Sequence, residues 1–204
     1  MTPTRRAVLL ALPALVLAVA GLFHPHHLTY DTSYRWFTLH VAGLLVFPLV
    51  GLALAGLVRG RTDAVAWAVR VTAYVYATFY SALDVISGIA AGYVTHELGA
   101  GVPRPDEVRL LFRIGTPLGE VGSGALIACC SILVFDQLAR RRALPVLLLV
   151  PGAVLVHLDH IFSPKGVVGM VLLALGTAGT AWWVTRSAES PARHATKQGR
   201  AASS

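Results

Sequence analysis

Histidine and carboxylate are the side chains of this sequence that could do chemistry, and they recur at the ends of its hydrophobic runs. His24-Pro25-His26-His27 follows the first run, and His40 lies about one turn into the second. His157 and His160 close the fifth with Asp159 between them, and a spacing of three predicts that both imidazoles share a helix face. Asp84 lies within the third run, four and eight residues after Tyr80 and Tyr76, and Glu120 stands near the start of the fourth. Inward-facing histidines and acids from several helices are how helical bundles build metal sites. Imidazole with carboxylate suits zinc, copper or non-haem iron.

The expected ligands are His40, His157 and His160, with His24, His27 and Asp159 as further metal-binding candidates. Asp84 and Glu120 are the candidate catalytic groups, acting as ligand, support or proton carrier. Such a site would activate water or oxygen near the lipid headgroups, as a hydrolase or an oxidoreductase, on a lipid-like or quinone-like small molecule. A variant is haem b, with His40 and His157 as axial imidazoles from different helices.

Each residue also has a plainer reading. His26 and His27 suit an interfacial loop. His96-Glu97 ends a helix, where a cation complements the dipole, and Glu120 suits a helix N-terminus. Asp84 is the hardest to dismiss, because an ionisable group deep in a membrane helix costs at least ~2.5–3.5 kcal/mol on insertion scales. No HExxH, HxxxH or DxxxD motif is present. Cys129 and Cys130 are adjacent, form no CxxC and read as small packing residues.

The elements that must position these groups follow from hydropathy. Of 204 residues 55% are hydrophobic and 13% charged. Runs at roughly 7–23, 37–58, 67–94, 117–138, 144–162 and 166–185 approach or reach the ~20 apolar residues that a bilayer core requires. They are continuous rather than alternating, which excludes a β-barrel. The fold class is therefore all-α: a polytopic membrane bundle of six transmembrane helices with short loops. One domain spans 1–186, followed by a polar tail at 187–204 expected to be disordered. The longest loop, 96–116, contains Pro105-Asp106-Glu107, a helix start, with Arg109 and Arg113 four apart. It predicts a short interfacial helix across the membrane surface. Pro13, Pro48 and Pro151 predict kinks. Gly88/Gly92 and Gly115/Gly119 form GxxxG pairs that permit close helix approach.

Lysine and arginine orient the bundle. Arg5, Arg6, Arg59, Arg61, Arg70, Arg140, Arg141, Arg142, Arg186, Arg193, Lys197 and Arg200 fall on one side, leaving five of the 17 basic residues on the other. Both termini are then cytoplasmic in a cell-membrane protein, and every histidine but His194 lies towards the outer face. The net charge of +7 is this topology signal. No soluble basic domain exists to bind nucleic acid, and the partner is the lipid bilayer. Arg5-Arg6, an apolar run and Ala18-Val19-Ala20 have the form of a cleavable signal. With five runs following, an uncleaved first helix is simpler. The composition is that expected of a high-GC bacterial genome. Two other functions fit the same residues: a small permease for a cation or solute using Asp84, which with so few helices would need a homo-oligomer, or a non-catalytic membrane subunit.

Overall fold

The computed structural model describes residues 1–102, 106–140 and 143–201, the segment after Ser187 as backbone only. Its helices are α1 (Pro3–Phe23), α2 (Tyr30–Gly56), α3 (Ala64–Leu83), α4 (Ala91–Glu97), α5 (Asp106–Ala139), α6 (Leu149–Asp159) and α7 (Lys165–Ala201). A π-helical segment, Asp84–Ala90, joins α3 to α4, and a 3₁₀ turn, Leu144–Leu148, leads into α6. No strand occurs among the described residues. The polar tail falls on residues whose side chains are not described, and 202–204, like Pro105, Arg141 and Arg142, lie outside the described residues.

Five segments are long and apolar enough to cross a membrane: Pro3–Phe23, Tyr30–Gly56, Ala64–Glu97, Asp106–Ala139 and Lys165–Ser187. Large apolar side chains cover their outer surfaces, among them Leu45, Leu52, Tyr74, Phe135 and Leu175. Exposed apolar surface on this scale has no counterpart in a water-soluble monomer. Consecutive segments pack antiparallel and close a ring, α1 on α2, α2 on α3, α3 on α5, α5 on α6, α6 on α7 and α7 back on α1. The core at its centre is built from Phe47, Tyr76, Tyr80, Leu126, Leu149, Met170 and Leu173.

The structure departs from the sequence expectations in two places that matter for the site. The fifth run, expected over 144–162, stops at Asp159. Its 3₁₀ and α portions have five and 11 residues. That makes roughly 26 Å, short of the ~30 Å hydrocarbon core. The break is at His160, whose φ of 50° and ψ of −129° belong to no helix. The separate interfacial helix is also replaced. Residues from Asp106 onward are the first turns of α5, which runs through Pro117 without interruption. Pro117 removes one backbone N–H. Packing holds the helix on course, with Val108 fully buried and Gly115 set against Ser87 of the π-helical segment.

Candidate metal centre

At the end of the bundle where α1 stops, three imidazoles meet. His24 caps α1, His40 lies in α2 and His160 caps α6, and one ring nitrogen from each lies within 4.8 Å of the others. The rings pack edge to face or stacked, with centroids 4.9 Å apart for His24–His40, 5.9 Å for His24–His160 and 6.2 Å for His40–His160.

Backbone carbonyls fix two of the tautomers. His24 Nδ1 is 2.8 Å from the Pro25 carbonyl and His40 Nδ1 is 2.7 Å from the Trp36 carbonyl. A carbonyl can only accept, so both Nδ1 atoms carry the proton and both Nε2 atoms present lone pairs. Those two Nε2 atoms face each other at 3.4 Å. Neither has a proton to give, so the approach is not a hydrogen bond between neutral rings. Two imidazole nitrogens each ~2.0–2.1 Å from one tetrahedral zinc would stand about 3.4 Å apart. Burial first, and then the neighbouring His40, lowers the pKa of His24 to about 4, so the ring is neutral and free to coordinate at neutral pH. His160 is lowered as well, by burial and by the other two imidazoles.

The third ligand is held by strain and by a hydrogen bond. His160 Nδ1 and the Tyr80 hydroxyl are 2.5 Å apart, which leaves Nε2 of that ring without a hydrogen-bond partner among the described residues. A positive φ on a non-glycine residue costs of order 1–3 kcal/mol and persists where the surroundings impose it. Hydrogen bonds of this kind orient metal-binding imidazoles.

Asp84 lies beside this set. Its Oδ1 is 3.9 Å from His40 Nε2, the residue is buried, and neither carboxylate oxygen has a hydrogen-bond partner among the described residues. Asp84 opens the π-helical segment. Single π turns inside α-helices recur at functional sites. The same segment makes room for His40, because a methyl on Gly88 would overlap the His40 ring. Trp36 braces the other side, its indole N–H donating to the Ser87 carbonyl at 3.1 Å. Gly88 was legible from the sequence only as half of a GxxxG pair, and Trp36, which carries no ligand chemistry, was passed over. Tyr80 was visible only as a neighbour of Asp84 on its helix face.

The other expected site residues lie elsewhere. His157 does not join His160. The helix ends between them, the three-residue spacing no longer keeps them on one face, and His157 is exposed with its Nδ1 2.8 Å from Ser123 Oγ. His157 is not one of the three imidazoles that gather with His40, so the expected His40–His157 haem pair is not assembled there. Glu120 is exposed, because Gly115, Gly119 and Gly122 form the face of α5 that packs on the π-helical segment and α3. Asp159 is half-buried and, with His157, lines a cavity of about 310 Å³ that reaches His40 and His160. His27 is exposed in a larger cleft outside it.

Compared with known proteins, the chain matches no family model, no curated protein and no solved structure.

Proposed function

We propose that this protein is a multi-pass membrane metalloprotein that binds one transition-metal ion through His24, His40 and His160, with Asp84 as fourth ligand or as the base beside it. The observation that carries the reading is the 3.4 Å approach of two Nε2 lone pairs whose tautomers are fixed by backbone carbonyls. Three imidazoles and a carboxylate suit zinc, copper or non-haem iron. A three-histidine set with a remaining position open to a cavity is the arrangement of a catalytic rather than a structural site. The reading is therefore a membrane metalloenzyme that activates water or oxygen on a lipid-like or quinone-like molecule. The bias of lysine and arginine supports placing the histidine end on the outer face of the cell membrane with both termini in the cytoplasm. Reporter fusions at Gly101 and after Ser204 should then give opposite locations.

Elemental analysis and a visible spectrum of detergent-purified protein test the metal. The expected result is one equivalent of zinc, copper or iron with no Soret band, lost in His24→Ala, His40→Ala and His160→Ala. Protein that takes up no metal when supplied with these ions, or that keeps it in all three variants, overturns the reading. The unpartnered oxygens of Asp84 would also serve a carried cation or proton. In that second reading, uptake into vesicles fails in Asp84→Asn and survives the histidine substitutions.

A further inference from the structure

Outside the three histidines lies a cleft of about 650 Å³ to which His26, His27, Arg109 and Arg113 contribute, and no carboxylate lines it among the described residues. Arg109 and Arg113 are one turn apart on α5, so both guanidinium groups reach the same side. Arg109 is bound to Asp106 through an exposed i,i+3 pair, which is worth little and leaves the guanidinium open to a better partner. Arg113 has no carboxylate partner among the described residues. Like charges four apart on a helix repel, so an anion between them removes a cost as well as adding bonds. Guanidinium forks match the geometry of phosphate oxygens.

The cleft adjoins the histidine cavity. Trp36, Phe112 and Thr116 line both it and the 310 Å³ cavity at His40 and His160. Phe162 stands between them, stacked on His26 with centroids 5.6 Å apart and edge-on to His24 at 4.6 Å. A charged outer cleft and an inner cavity that ends on the imidazoles thus share a wall of Trp36, Phe112 and Thr116. We infer that this cleft binds the phosphate oxyanion of the substrate, whose remainder extends towards the histidine site along the wall that Trp36, Phe112 and Thr116 share with the inner cavity. The substrate class is accordingly a phosphate-bearing amphiphile, with its anionic group on Arg109 and Arg113. The role of the inner chamber rests on the metal reading above; binding of the oxyanion is separately measurable.

Trp36 is the reporter, since it borders both chambers. A variant carrying Trp67→Phe, Trp182→Phe and Trp183→Phe leaves it as the single tryptophan. In nonionic micelles, phosphatidylglycerol brominated on its acyl chains should quench Trp36 more strongly than brominated phosphatidylcholine. Arg113→Gln should raise the half-quenching concentration about tenfold, and Arg109→Gln should act in the same direction. If instead inorganic phosphate shifts Trp36 emission saturably and the two lipids quench alike, the oxyanion site stands and its source is a soluble phosphate compound. Equal quenching by both lipids with no response to phosphate overturns the inference, as does a response unchanged in both arginine variants. Metal content is read on the same samples. The arginine variants should retain metal, and His24→Ala should lose metal yet keep the lipid response, so failure of either claim is distinguishable from failure of the other.

Discussion

The two ends of the bundle treat a buried carboxylate in opposite ways. At the end where α5 finishes, Asp136 receives Arg61 at 2.7 and 2.9 Å, Arg140 at 3.0 Å and the Gln137 amide at 3.2 Å. Arg61 also holds Asp63 at 2.8 Å; its hydrogen bonds to Asp136 first and then to Asp63 raise the guanidinium pKa, and Arg61 lowers that of the exposed Asp63 carboxyl. At the histidine end, Asp84 is buried with no hydrogen-bond donor among the described residues, beside two nitrogens whose lone pairs face each other. Burying an ionised group is costly unless it is paired. Where the chain itself supplies the pairing, the network has a structural role. Where no donor is supplied but the surrounding rings are fixed by hydrogen bonds and steric contact, the arrangement is the one that the proposed metal ion would complete.

That contrast can be broken by substitution. The largest effect on stability should come from Asp136→Ala, which leaves Arg61 and Arg140 facing a gap and should cost about 3–5 kcal/mol in thermal or denaturant unfolding of the solubilised protein. Metal content should not change, and a loss of metal here would mean that the two ends are not separate in function. Gly88→Ala comes next. Its methyl presses on the His40 ring, which should cost about 1–3 kcal/mol and reduce bound metal. Gly124→Ala is the control, since nothing lies within 4 Å of a methyl there. If the two behave alike, the close approach at Gly88 does not shape the site. The smallest effect on folding should come from Asp84→Asn, which removes no hydrogen bond. It should leave the unfolding midpoint of the metal-free protein in place while weakening metal affinity at least 10–100-fold, measured by competition with a chelator. His157→Ala should leave metal affinity unchanged. A reversal of these two results would restore the helix-face pairing of His157 with His160 and remove Asp84 from the site.

Much of the scaffold is legible from residue order. Continuous apolar runs require helices that satisfy their own backbone, and their short connections require antiparallel neighbours. The gathering of His24, His40 and His160 at one end follows from that alternation alone. The extent of the fifth run was less legible. Hydropathy continues through Ile161 and Phe162, while the helix ends at Asp159 because of a backbone conformation at His160 that no propensity scale anticipates. Pro117 gave the opposite error. The fourth run is expected to begin there, at 117, yet Pro117 lies inside α5, because contacts with Ser87 outweigh one missing hydrogen bond.

By itself, then, the sequence determined a helical bundle suited to a membrane, the end at which chemistry-bearing residues collect, and the presence of an acid where an acid is costly. These depend on local composition, helix length and alternation, all of which are encoded in nearest neighbours. Which imidazoles meet was decided by the tertiary structure. Helix spacing groups His157 with His160, but the break at Asp159 rotates them apart, and the packing of α1 against α2 and α7 brings in His24 instead. Ligand geometry depends on the rotation of one helix about its axis by tens of degrees, and that angle is set by glycine contacts, a π-helical turn and carbonyl hydrogen bonds between segments distant in the chain.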